Sequence, residues 1–135
     1  MTFFLLSFLI FLLTACSHIE TTASEQQTSP TVNEIVIQND TGEPIDQVKI
    51  SVQNINGFFN CSQILAGSIC LNKFSDRTYQ GNPIEVSWIQ HYEPWTSGQI
   101  WLTLPSQIMP DHPVRAVIVI GNDGQVKASM KTSAQ

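Results

Sequence analysis

Charge is scarce in this chain, and basic charge scarcest: of 135 residues six are Lys or Arg, scattered from Lys49 to Lys131, against eleven Asp or Glu. A few dispersed cations cannot neutralise a run of phosphates, so the balance argues against nucleic acid as a partner and against attraction to anionic lipid by charge alone. Histidine is also sparse, and no Gly-x-Ser-x-Gly elbow, Cys-x-x-Cys pair or glycine-rich phosphate loop occurs. The sequence therefore offers no nucleophilic, redox or nucleotide chemistry in recognisable form, and it points to no cofactor. Long apolar runs are missing too. Phe3 to Leu13 is almost unbroken Phe, Leu and Ile, but crossing a bilayer takes about 20 apolar residues. No stretch carries the 3.6-residue periodicity of an amphipathic helix.

What is present begins at the N-terminus. The apolar run has the length of a signal-peptide core, and it closes on Leu13-Thr14-Ala15-Cys16. These four residues resemble the bacterial lipobox, Leu-[Ala/Ser/Thr]-[Gly/Ala]-Cys, although no Lys or Arg precedes the run as that pattern usually has it. The resemblance implies that residues 1–15 are a lipoprotein signal peptide cut before Cys16, and that the Cys16 thiol and the freed amine are acylated. Each buried methylene contributes about 0.8 kcal/mol, so two or three chains anchor firmly where one does not. An Asp after the cysteine usually retains a lipoprotein in the inner membrane, so Ser17 implies the outer membrane of a Gram-negative source, with the domain facing the periplasm.

Three cysteines occur in all. With Cys16 assigned to lipid and the chain sent to an oxidising compartment, Cys61 and Cys70 are expected to pair. Residues 16–32, rich in Ser, Thr, Gln and Glu, cannot bury anything and read as a tether. The folded domain is expected over 33–131, with 132–135 frayed.

Within the domain, apolar alternation marks strands. Glu34 to Gln38 and Val48 to Val52 flank a turn-rich Asn39 to Pro44, which reads as strand, turn, strand. Phe58 to Leu65 and Ile69 to Phe74 flank Ala66-Gly67-Ser68 and read as a hairpin that places Cys61 opposite Cys70, a bridge between two sheets being the alternative. Ile84, Val86 and Trp88 alternate without a fault and are expected in the core, Trp88 as its largest member. Trp95 to Leu104 resumes extended structure, and the loop from Ser106 to Pro113 reads as a crossover between sheets. Val114 to Ile120 has the β-branched density of a central strand, and Gly121-Asn122-Asp123-Gly124 signals a hairpin into a last strand bearing Val126, Ala128 and Met130. Seven or eight such strands predict an all-β, immunoglobulin-like antiparallel β-sandwich with one disulfide. The run Tyr79-Gln80-Gly81-Asn82-Pro83 ahead of the Trp88 strand resembles small single-domain envelope lipoproteins, a likeness that transfers no catalytic residue and no ligand.

Two side-chain groups remain as sites. His91, Glu93, Asp111 and His112 are of the right types for a metal, but their spacing is that of loop residues beside Pro94 and Pro113, and no metal is expected. Trp88, His91, Tyr92, Trp95 and Trp101 gather the three tryptophans into fourteen residues. If Tyr92, Trp95 and Trp101 faced solvent together, they would form a platform for a protein partner or a glycan; otherwise they fill the ends of the sandwich. The resulting expectation is a membrane-anchored, non-catalytic domain that contacts an envelope protein, with binding of carbohydrate or peptidoglycan as the alternative and a small hydrolase or metal-dependent enzyme as the least favoured.

Overall fold

The computed structural model describes residues 29–109 and 111–132. Cys16, Ser17, the apolar run and the tether up to residue 28 lie outside the described residues, as do 133–135. Eight strands follow in order: β1 (Thr31–Asp40), β2 (Ile45–Val52), β3 (Phe58–Ile64), β4 (Ile69–Thr78), β5 (Ile84–Gln90), β6 (Glu93–Ile100), β7 (Val114–Gly121) and β8 (Val126–Thr132). They form two four-stranded sheets, ordered β4-β1-β7-β8 and β3-β2-β5-β6. The core lies between them and holds Ile37, Val48, Ile50, Val86, Trp88, Ile118 and Ile120. The domain edges move slightly: β1 starts at Thr31 with Val32 already buried, inside the expected tether, and β8 runs to Thr132, which pairs with Val114.

The two expected hairpins at the front of the chain are corners instead. β1 does not pair with β2; it lies between β4 and β7, and β2 lies in the other sheet between β3 and β5. The chain changes sheets at Asn39, whose side chain replaces the hydrogen bonds that a hairpin would have made. Its Nδ2 donates to the carbonyls of Glu43 and Ile64 at 2.7 and 2.9 Å, and its Oδ1 accepts from the Thr41 amide and hydroxyl at 3.0 and 2.8 Å. A fully buried amide is tolerated here because every polar atom on it is paired.

β3 and β4 likewise belong to different sheets. Cys61 pairs alongside Val48 and Cys70 alongside Ile37, so the Cys61–Cys70 disulfide joins the two sheets at one side of the sandwich, the alternative to the expected bridge within a hairpin. Asn72 Nδ2 sits over the bridge, 3.6 Å from Cys61 Sγ and 3.8 Å from Cys70 Sγ. Closing a ten-residue loop restricts the unfolded chain by about 3 kcal/mol in the chain-entropy model. A Cys61→Ala, Cys70→Ala chain is expected to lose about that much unfolding free energy in urea. A loss under 1 kcal/mol would mean that the staple does not constrain the unfolded chain.

Of the six strand pairings, β1 with β7 is parallel and the other five are antiparallel, so the sheets are not antiparallel throughout. The parallel pair is the one whose members read as continuous apolar runs. Ile35-Val36-Ile37 and Ala116-Val117-Ile118 are buried on both faces, as paired parallel strands commonly are. On the outer face, Glu34 is buried between two cations, with Arg115 Nε 3.1 Å and Lys73 Nζ 3.8 Å from its carboxylate. The Arg115 Nε–H is turned out of line for a hydrogen bond, so charge attraction alone joins that atom to Glu34 Oε1. Other expectations hold: β5 buries Ile84, Val86 and Trp88, β7 and β8 form a hairpin over residues 122–125, and the segment after β6 crosses between sheets, although β6 runs from Glu93 to Ile100 and not from Trp95 to Leu104. On the way it adds one rung to β8: Thr103 N–H donates to the Ala128 carbonyl and Met130 N–H to the Thr103 carbonyl.

Candidate binding site

The β5–β6 hairpin carries the aromatic cluster. Gln90 pairs with Glu93, which leaves His91 and Tyr92 as a two-residue loop, both with positive φ, 53° and 65°. A type I′ turn demands this of both residues and normally takes Asn-Gly, because a side chain in the left-handed region costs about 1–3 kcal/mol. Tyr92 stands fully exposed at the tip. Below it, Pro94 fits because β6 is an edge strand with no partner for its outer backbone. A bulge follows: the Val86 amide donates to Ser97 Oγ at 2.9 Å in place of a ladder carbonyl, and Gly98 takes φ 63°.

The three aromatics named from the sequence do not share one platform. Trp95 pairs across from Trp88 on the inner face, rings 6.1 Å apart and 17° from parallel, and stays 39% exposed. Its far edge lies against Gly124, where an added Cβ would come within 2.6 Å of the ring, and the Gly124 φ of 69° independently disfavours a side chain. Trp95 is thus a lid on Trp88, held down by the β7–β8 turn. Trp101 is 60% exposed but follows the far end of β6, roughly 25 Å from the tip at about 3.3 Å per residue. Tyr92 and Trp95 share one end of the hairpin; Trp101 lies toward the other.

The four metal-type residues separate in the same way. His91 and Glu93 flank the tip, whereas Asp111 and His112 precede Val114, which pairs with Val32 and Thr132 at the opposite end. No group of three His, Cys, Asp or Glu able to share an ion occurs among the described residues.

One feature escaped sequence reasoning. At the end where Thr31, Val52, Thr78 and Ile84 lie, the sheets part around an apolar cavity. The loop from Tyr79 to Pro83 borders it: Tyr79 O–H donates to the Asn82 carbonyl at 2.9 Å, and its amide donates to the Pro30 carbonyl. Burial pushes the Tyr79 phenol above its ordinary value, with a backbone hydrogen bond from Leu102 pulling the other way. The lining residues run from 32 to 130 in the chain, and no local motif gathers them.

No family model matches this chain, and no curated protein does. Among solved structures, a protein from Eubacterium rectale determined by NMR is similar, with a TM-score of 0.45 and 12% identity over 84% of this chain and 96% of that one.

Proposed function

We propose that this protein is an envelope lipoprotein, acylated on Cys16, that displays a non-catalytic β-sandwich to a protein partner through the β5–β6 tip. Two features support the reading. Leu13-Thr14-Ala15-Cys16 supplies the address, with Ser17 directing the protein to the outer membrane in a Gram-negative source. The observation that carries the contact is Tyr92, an exposed aromatic held out by two consecutive residues in a backbone region that costs free energy. Strain of this kind persists where function uses it, and exposed Tyr is a frequent anchor at protein interfaces. The tip lies at the end of the sandwich opposite Thr31, where the first strand begins.

The anchor and the contact are tested separately. Cys16→Ala is expected to leave uncleaved precursor and abolish labelling by a fatty-acid probe; unchanged labelling refutes the anchor. A photo-crosslinking residue at position 92 is expected to trap one discrete protein in the native envelope, whereas the same residue at Thr96 on the edge strand traps none. Replacing His91-Tyr92 by Asn-Gly is expected to raise Tm by about 5 °C, corresponding to about 1 kcal/mol of relieved strain, while a probe at Glu93 loses its crosslink. A tip that gains no stability from Asn-Gly, or a probe that crosslinks equally at 92 and 96, refutes the display of Tyr92.

A further inference from the structure

The cavity at the open end of the sandwich measures about 80 Å3 and is walled by Ile35, Ile50, Phe59, Ala116, Ile118 and Met130, with contributions from both sheets. A space this apolar offers water too few partners and stays dry, as apolar cavities that take up small hydrocarbons do. Its rim differs from its walls. Arg77, exposed on β4, is the one charged residue among those described that line it, and its guanidinium lies 5.9 Å from the centre of the Phe74 ring, which packs on Phe59 with centroids 4.8 Å apart. Tyr79 and Asn82 complete that side of the mouth.

We propose that this cavity binds the alkyl end of an anionic amphiphile, its terminal carbons between the sheets and its carboxylate or phosphate head on Arg77. The volume is about half that of a cavity that accommodates benzene, which leaves room for about three carbons inside. The remaining carbons of a six-carbon chain span the mouth and bring the head to the guanidinium, which presents paired donors to an anionic oxygen pair. The site uses neither Cys16 nor Tyr92 and stands independently of the function proposed above.

Hexanoate titrated into the full, disulfide-bonded chain is expected to shift the methyl NMR signals of Ile50, Ile118 and Met130, and not that of Ile89 on the far end of β5. Each carbon removed from the acid weakens binding about fourfold, the factor for one buried methylene. Arg77→Gln is expected to weaken hexanoate at least tenfold and leave hexanol unchanged, which separates the head from the tail. Ala116→Leu fills the cavity and is expected to abolish both; the chain-length series on the native chain stands in should that variant fail to fold. Monomeric dihexanoylphosphatidylglycerol distinguishes the source: the same shifts assign the site to membrane lipid as well, and their absence assigns it to free acid. Overturning results are hexanoate without effect on the three methyls, affinity that ignores chain length, or an Arg77→Gln chain that binds hexanoate as the native one does.

Discussion

Trp88→Ala is expected to lose about 3–5 kcal/mol of unfolding free energy, the largest effect of any single truncation in this domain. Trp88 is 2% exposed and is the largest fully buried side chain among the described residues. It belongs to the core cluster between the sheets, stacks beneath Trp95, and directs its indole N–H toward Gln90 Oε1 at 3.4 Å. Truncation leaves a cavity, strips Trp95 of its support and frees the edge strand that Trp95 holds against the Gly124 turn. A domain of this size has about 5–15 kcal/mol in total, so the variant sits near the limit of folding. Urea denaturation should show the midpoint falling by about 2 M, from the usual slope of about 1–3 kcal/mol per molar. Trp88→Phe, which keeps a ring for Trp95 to cover, should lose less than half as much. Equal losses in the two variants would show that the stack contributes nothing.

Asn39→Ala comes second, at about 3 kcal/mol. The missing volume is small; the cost lies in what the side chain leaves behind. Asn39 is 0% exposed, and removing its amide takes the side-chain partner from the Ile64 carbonyl and the Thr41 amide, while the Glu43 carbonyl keeps the Thr41 hydroxyl at 2.9 Å. Each buried group left without a partner costs about 1–3 kcal/mol. Asn39→Asp should be no better at neutral pH, because a carboxylate cannot donate to the two carbonyls that Nδ2 now serves. Asn39→Ser, by comparison, keeps an acceptor for the Thr41 amide and should recover part of the loss. Were Asn39→Ala to unfold as the native chain does, the corner would owe its shape to the backbone alone.

Asn39 also shows where the sequence becomes silent. Alternation along Ile84-Glu85-Val86-Ser87-Trp88 reveals which face points inward, because a strand has a period of two and one face is buried. The residues after β1 reveal that the chain turns. Neither reveals whether the next strand lies beside the last or across the core from it, since a hairpin and a corner use the same Asn, Asp, Gly and Pro. The apolar run Ile35-Val36-Ile37 does not separate them either, since β7, apolar on consecutive positions in the same way, continues into a hairpin. The pairing of Cys61 with Cys70 is legible from their number once Cys16 is set aside, yet their places on either side of Ala66-Gly67-Ser68 suggest one sheet where two are joined. At the site, composition located the aromatics but not their roles. Trp95 and Tyr92 are three residues apart, and one is folded onto the core while the other is held away from everything. That difference comes from two backbone angles at a loop whose residues, His and Tyr, do not announce a tight turn. The cavity is legible from nothing local, because its lining is assembled from seven strands.

The parallel rung between β1 and β7 sets a schedule for the chain. Ile35 reaches its partner Ala116 only across about eighty intervening residues, and pairings so distant close late in folding. A chain threaded across a membrane with its N-terminus leading would deliver β1 first and complete it almost last. Until residue 120 has emerged, Ile35, Val36 and Ile37 have one neighbour at most, β4, and the second sheet has nothing to close over. Such a chain would complete the β4-β1-β7-β8 sheet only when the last two strands arrive.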